Sequence, residues 1–180
     1  SSGSAIRRYG TGAVSPASYP FEAYWTRDYT AIMYVNTFLE DNVGLNTRYL
    51  VDNSANALLQ RFLQGDAYAM RAWYEFDLLK KFGGVGTDGR LLGFPILTSP
   101  VNVFETAPES IERDAYDDCV RRILDDCDSA LVYIPEANRD WLGQHSTIDG
   151  SSRWKRMDGV SVKALKAMVY LYWASPAFNP

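Results

Sequence analysis

Apolar residues recur every three or four positions along four long stretches of the chain, which is the spacing of one face of an α-helix. The pattern predicts helices at about 21–40, 54–82, 110–134 and 159–174. In the second helix the apolar seam also contains Gly65, Ala69 and Ala72. Because Gly65 would cost an isolated surface helix up to about 1 kcal/mol, its presence indicates close approach of another helix. No stretch alternates like a strand, so the pattern predicts an all-α chain.

The ends of the predicted helices carry local signals. Two lysines at 80–81 lie in the last turn of the second helix, with Gly83 just beyond, as is typical of a helix C-terminus. Residues 106–109 resemble a capping box and Ser110 offers a competing cap, so either starts the third helix. Pro135 ends that helix.

Three polar or Gly/Pro-rich segments, 1–20, 83–108 and 136–155, lie outside the predicted helices. The first is predicted to be a loop, the second an ordered loop and the third a polar loop. Loops of this length are uncommon in simple helical bundles, and binding groups are often mounted on them. The helices are therefore predicted to be the scaffold, and the loops to carry the function.

The chain contains 5 Trp, 12 Tyr and 8 Phe, several of them outside the apolar seams. An aromatic ring in a loop can stack on the apolar face of a sugar while neighbouring polar groups bind its hydroxyls. Trp141 and Trp154 fit this role, and Tyr9 fits it with weaker support. The alternative interpretation is that each of these rings packs its loop onto the helical core.

The charge and composition of the chain argue against several classes of function. The net charge is -4, and the 18 Lys and Arg residues form no stripe, which argues against nucleic-acid binding. No run of about eighteen apolar residues could span a bilayer, and residues 1–20 lack the apolar centre of a signal peptide. Cys119 and Cys127 are too far apart on one helix to form a disulfide, and buried thiols usually act as small hydrophobic groups.

The sequence contains no grouping of reactive side chains that is typical of a catalytic site. The single histidine, His145, lies in a polar loop, and the carboxylates of Glu75 and Asp77 point to different helix faces, where we expect unpaired surface charge. The glycine-rich segment 83–89 follows a helix and lacks the end of a P-loop, so a helix cap and turn is the better interpretation. We therefore expect no catalytic residues, no metal site and no cofactor.

Residues 65–85 read GDAYAMRAWYEFDLLKKFGGV, and matching segments accompany them in order at 25–39, 126–135 and 156–178. Together they resemble the SusD/RagB family of outer-membrane lipoproteins of Bacteroidetes, whose corresponding helix has the form GEARFLRAYYYFDLVRLFGGVPL. The chain departs from the family where residues 86–87 replace Pro-Leu, and where Lys155 replaces a Gly.

The resemblance implies paired antiparallel helices in a TPR-like α-α superhelix of the SusD type, with long loops. Residues 1–180 would then be a single N-terminal helical part of a larger protein. Among the matched residues, Asn36, Arg71, Asp77 and Arg156 lie in or beside helical seams, so we expect them to brace the fold.

The function implied is that of a non-catalytic, surface-exposed substrate-binding component of a SusC/SusD-type uptake complex, with a glycan as the first expected ligand. Its partner would be a SusC-like TonB-dependent transporter. A lipid anchor outside this chain would hold it on the extracellular face of the outer membrane. Two alternatives remain: a RagB-like oligopeptide binder, and a helical-repeat scaffold whose partner is another protein.

Overall fold

The computed structural model describes residues 7, 10–12, 22–40, 43–100, 111–139, 148 and 150–178. Its helices are α1 (Glu22–Glu40), α2 (Val43–Asn46), α3 (Asn53–Phe82), α4 (Tyr116–Tyr133) and α5 (Gly159–Trp173), with a 3-10 helix at Gly150–Lys155. Two short strands, β1 (Gly84–Val85) and β2 (Leu91–Leu92), pair antiparallel. The predicted all-α fold is confirmed, and the hairpin is a small addition inside the segment predicted to be an ordered loop.

Neighbouring long helices run antiparallel. Arg61 near the start of α3 donates to the Val132 carbonyl near the end of α4 over 2.8 Å. Further along α3, Arg71 binds Asp126, which lies earlier in α4, with its Nε 2.6 Å from Oδ2. The other helix pairs show the same reversed order: Arg27 with Asp77, Asn36 with Arg71, Asp117 with Trp173 and Asp128 with Lys166.

The core lies along α3 and α4, each of which has a neighbour on both sides. The predicted seam of α4 is buried along its length: Tyr116, Val120, Ile123, Cys127, Ala130 and Ile134. Gly65 of α3 faces the end of α4, where a Cβ would lie 2.5 Å from Ile134 Cγ2 and 2.9 Å from Tyr133 Cβ. The close approach predicted from Gly65 is confirmed, because no larger side chain fits between these helices without displacing one of them.

The start of α4 differs from the prediction. The helix begins at Tyr116, six residues after Ser110, and its N-cap Ala115 makes no side-chain capping bond. The preceding backbone is used in other hydrogen bonds: Gly93 N donates to the Asp114 carbonyl over 2.8 Å, and Asp114 N donates to the Phe94 carbonyl over 3.3 Å. These tertiary hydrogen bonds hold the chain extended up to residue 115, so the predicted start at 106–110 is wrong.

The segment after β2 is held across the helices by buried polar groups. Tyr29 of α1 donates from its hydroxyl to the Pro95 carbonyl over 2.8 Å, and Asn36 Nδ2 donates to the Leu97 carbonyl over 2.7 Å. At Gly93 a Cβ would lie only 2.3 Å from Cys119 Sγ, so this residue must be glycine for the segment to lie against α4.

Both cysteines are buried and free, as the sequence predicts. Burial raises the pKa of the Cys119 thiol and of the Cys127 thiol to about 12. They act as small apolar groups within the core. Across the described residues, no helix is both long and apolar enough to cross a bilayer.

Candidate ligand-binding site

Of the three aromatic residues predicted to bind ligand, only Trp154 is described by the structure. It lies in the 3-10 helix, and 60% of its surface is exposed. It therefore does not pack into the helical core, which was the alternative for this residue. Tyr9, Trp141 and the solitary His145 lie outside the described residues.

An apolar cleft of about 430 Å³ lies between α1 and α3, and we call it the aromatic groove. Its walls come from two helices and one side chain that precedes α5: Ala31, Tyr34, Val35, Phe38, Leu63, Asp66, Ala67, Met70, Tyr74 and Arg156. Tyr34 is 66% exposed and Met70 is 45% exposed, so both present apolar surface to solvent. Among the described residues of these walls, only Asp66 and Arg156 are charged.

A second cleft, of about 480 Å³, adjoins the first, and we call it the basic cleft. It is lined by Asp66, Met70, Lys155, Arg156 and Met157. Three of these residues, Asp66, Met70 and Arg156, also line the aromatic groove. The two clefts therefore lie side by side, with the aromatic residues in the first and Lys155 in the second.

Asp66 and two arginines fix the junction between the clefts. Arg153 Nη1 donates to Asp66 Oδ2 over 2.9 Å, and Arg156 Nη1 donates to the same oxygen over 2.7 Å. The Arg153 side chain is completely buried and is held further by the Asn138 side-chain oxygen at 3.0 Å and the Met157 carbonyl at 3.1 Å. Because Arg153 cannot move freely, it holds Asp66, and through it Arg156, in a defined position.

The junction combines the groups that a sugar requires. Arg156 is about one-third exposed, since its side chain retains 34% of its accessible surface, and a guanidinium has five N–H donors in a planar fork. The other Asp66 oxygen, Oδ1, is buried and has no hydrogen-bond partner among the described residues. Flat apolar side chains beside fixed polar groups form a surface on which a sugar ring can stack while its hydroxyls are bound.

A second charged group lies deeper in the protein, between α1, α3 and α4, and we call it the buried ion cluster: Asn36, Arg71, Glu75, Arg122 and Asp126. Arg71 binds both oxygens of Asp126, at 2.6 and 2.8 Å, and donates to Asn36 Oδ1 at 2.7 Å. The bracing role predicted for Arg71 is confirmed.

The prediction that Glu75 and Asp77 are unpaired surface charges is wrong. Glu75 is only 1% exposed and Asp77 9%. As expected from their spacing they face different ways: Glu75 lies 3.5 Å from Arg122 Nε of α4, whereas Asp77 binds Arg27 of α1 at 2.5 Å. Burial places both carboxylates between packed helices, which their local sequence does not reveal.

Burial also raises the pKa of Glu75 to about 8, and the neighbouring Asp126 raises it further, against the lowering effects of Arg122 and Arg71. A carboxyl with such a raised pKa is a common mark of an active site. Glu75, however, lines neither cleft. Among the described residues, no three His, Cys, Asp or Glu side chains are grouped so that they could hold a metal ion.

Tyr34, Met70 and Tyr74 were not identified from the sequence as site residues. Each lies within a long helix, where an aromatic or Met side chain is ordinarily assigned to the core. The available signal was their position relative to the apolar seams predicted from the sequence, because neither Tyr34 nor Met70 belongs to such a seam and both are exposed. Arg156, expected to have a structural role, binds Asp66 and also lines both clefts.

Comparison with known proteins gives a consistent result for the fold. A SusD-like family profile, described as starch-binding associating with outer membrane, matches residues 6–147. Among curated proteins there is no match.

Solved structures resemble the chain over most of its length. A SusD homolog from Bacteroides thetaiotaomicron has a TM-score of 0.65 at 22% identity, covering 86% of this chain and 25% of its own. A SusD-like protein from Bacteroides fragilis has a TM-score of 0.63 at 22% identity, covering 88% and 25%. A laminarin-binding SusD-like protein has a TM-score of 0.60 at 20% identity, covering 94% and 30%. The chain thus spans between a quarter and a third of these proteins, and at such identities the likeness concerns the fold.

Proposed function

The chain belongs to the SusD-like family, and we propose that it acts as the non-catalytic substrate-binding component of a nutrient uptake complex, with a glycan as its ligand. The coverage of its structural relatives supports the further proposal that it forms the N-terminal helical part of a larger protein. The family description and the relative that binds laminarin support a saccharide ligand.

The observation that carries this proposal is the pair of neighbouring clefts, the aromatic groove and the basic cleft, which share three wall residues, Asp66, Met70 and Arg156. Tyr34 and Met70 provide exposed apolar surface, and Arg156 provides a fixed hydrogen-bond donor beside them. This combination of a flat apolar wall and a few oriented polar groups is typical of small-ligand sites. We further propose that Trp154, next to Lys155 in the chain, and Tyr9 and Trp141 add aromatic contacts to the ligand.

Replacing Tyr34 with Ala is expected to weaken saccharide binding about tenfold, which corresponds to about 1.4 kcal/mol. The reason is that a stacked sugar would lose one aromatic face, a contact worth about this much. Titration calorimetry with laminari-oligosaccharides and malto-oligosaccharides would measure the change.

The matched control is Tyr49→Ala, because Tyr49 is 40% exposed and lies outside both clefts. This variant is expected to bind saccharide like the unmodified protein. Equal losses of saccharide affinity in the two variants would argue against the groove as the site.

The same titrations distinguish the functional alternatives. Binding of oligopeptides, with no saccharide bound, would favour the RagB-like alternative. Absence of both would favour the protein-protein scaffold.

The proposed function includes a partner and a location. We propose that a lipid anchor outside this chain holds the protein on the extracellular face of the outer membrane, where it works with a SusC-like TonB-dependent transporter. We expect a β-barrel transporter to copurify with the native protein after mild detergent extraction of outer membranes. Recovery of the protein from the aqueous fraction with no barrel protein attached would contradict this proposal.

A further inference from the structure

Basic residues are concentrated beside the proposed site, although the whole chain has a net charge of -4. Three of its 18 Lys and Arg residues, Arg153, Lys155 and Arg156, fall within four positions. The 3-10 helix and the turn after it place Lys155 and Arg156 on the wall of the basic cleft, while Arg153 lies buried behind them. Among the described residues that line the cleft, two cations, Lys155 and Arg156, and one carboxylate, Asp66, give a formal charge of +1, opposite in sign to the net charge of the protein.

The carboxylates described around this cleft are committed to other contacts. Asp66 Oδ2 already accepts from both arginines. Asp158 caps α5, where Oδ1 accepts from Ser161 N at 2.9 Å and from the Ser161 hydroxyl at 2.6 Å. These hydrogen bonds lower the pKa of Asp158 against the opposing effect of burial, so it stays ionised and bound to the helix start.

Among the described residues that line the basic cleft, Lys155 is the cation that remains for a ligand. Its side chain is exposed, and within the described residues it lies within ion-pair distance of no carboxylate. Arg156 is beside it on the same wall, and Met70 and Met157 form the apolar remainder of the cleft. An anionic group placed here would meet two cations at the edge of an apolar surface, where screening by water is weaker than on an open face.

We propose that the basic cleft binds the anionic substituent, a carboxylate or a sulfate, of an acidic saccharide whose ring lies against the aromatic groove. This inference rests on the proposed saccharide-binding function and adds the chemical class of the ligand. Lys155 contributes a compact positive charge, and the guanidinium of Arg156 contributes a second positive charge beside it.

The test uses pairs of polysaccharides that share a backbone, with one member charged and the other neutral. Polygalacturonate is compared with its fully methyl-esterified form, and dextran sulfate with dextran, by affinity electrophoresis and calorimetry at low and high salt. At least one acidic member is expected to bind about fivefold more tightly than its neutral counterpart, with the preference shrinking as salt screens the contact. Which pair shows the preference distinguishes carboxylate from sulfate.

Replacing Lys155 with Gln is expected to reduce affinity for the preferred acidic polysaccharide about three- to fivefold, as expected for one partly exposed charge pair. Lys163→Gln is the matched control. It changes the net charge equally, but Lys163 lies on α5 in an exposed pair with Glu136, outside both clefts. If both variants lose the same affinity for the acidic polysaccharide, the loss comes from the change in net charge and not from the cleft, and the proposal is overturned.

The outcomes separate this inference from the function on which it rests. If the acidic and neutral members of both pairs bind equally, the anionic specificity is overturned and saccharide binding remains. The same conclusion follows if laminarin binds and neither acidic polysaccharide binds more tightly than its neutral counterpart. Absence of binding to every polysaccharide would overturn both.

Discussion

Replacing Arg71 with Met is expected to lower the free energy of unfolding by about 3–5 kcal/mol, the usual cost of removing one partner from a buried ion pair. Arg71 is 5% exposed and Asp126 is 2% exposed. Without Arg71, the one cation left beside the buried Asp126 carboxylate among the described residues would be Arg122, at 3.5 Å. Asn36 Oδ1 would also lose its donor. Urea unfolding followed by circular dichroism would measure the change.

Two further variants identify the cause of this loss. Arg121→Met makes the same substitution in an exposed pair with Asp118 at 3.7 Å, and its effect should stay below about 1 kcal/mol. In the double variant Arg71→Met/Asp126→Leu, removal of both charges is expected to recover a large part of the stability. If the double variant is no more stable than Arg71→Met alone, the two side chains do not act as a pair.

Replacing Glu75 with Gln is expected to stabilise the protein, by about 3 kcal/mol at pH 7, because the substitution removes an ionisable group that folding must keep neutral. Its pKa is raised from 4.5 to about 8, chiefly by burial. Among the described residues neither Glu75 oxygen accepts a hydrogen bond, and Arg122 Nε lies 3.5 Å away, so the substitution breaks no hydrogen bond to this side chain. Arg122 keeps its contact with Asp126 in the variant.

The direction in which stability changes with pH follows from whether Glu75 is protonated in the folded and in the unfolded protein at each pH. Below pH 4.5 both states carry it, and Glu75 adds no dependence on pH. Between pH 4.5 and about 8 the unfolded chain releases the proton while the folded protein retains it, so stability falls, by at most about 1.4 kcal/mol per pH unit. Above pH 8 both states are ionised and the loss is complete.

The advantage of Glu75→Gln should therefore widen from pH 5 to pH 8 and then stay constant. Denaturant unfolding at a series of pH values would test this, with Glu112→Gln as the matched control. Glu112 is exposed in the segment before α4, so this variant should track the unmodified protein at every pH. If the Glu75→Gln variant has the same advantage at pH 5 and at pH 8, Glu75 is not protonated in the folded protein.

The helices and their buried faces could be predicted from the sequence because both depend on local spacing. The seam from Tyr116 to Ile134 has the 3.6-residue period of a helix, and every residue predicted for it is buried. Gly65 was informative for a related reason: a glycine within a helix is unfavourable unless another helix occupies the space. The seam and the helical glycine can both be recognised from the residues of a single helix, without knowledge of its neighbours.

The candidate site could not be predicted in the same way. Tyr34 belongs to α1, Met70 to α3, and Arg156 to the segment before α5, so their proximity depends on how three elements pack. Trp154 was predicted to bind ligand because it lies in a polar loop, and its exposure agrees with that proposal without placing it in either cleft.

By itself, the sequence determined the helical class of this protein, the faces its helices bury and its resemblance to the SusD/RagB family, because side-chain periodicity and motif order lie within the chain. Only the tertiary structure decided the start of α4, the burial of Glu75 and the meeting of the aromatic groove with the basic cleft. Each of those depends on backbone hydrogen bonds, desolvation or contacts between residues distant in sequence. The segment 65–85 illustrates the local signal and the tertiary effect together. Its motif indicates the family, whereas packing determines that Glu75 is buried between helices and that Met70 and Asp66 line a cleft.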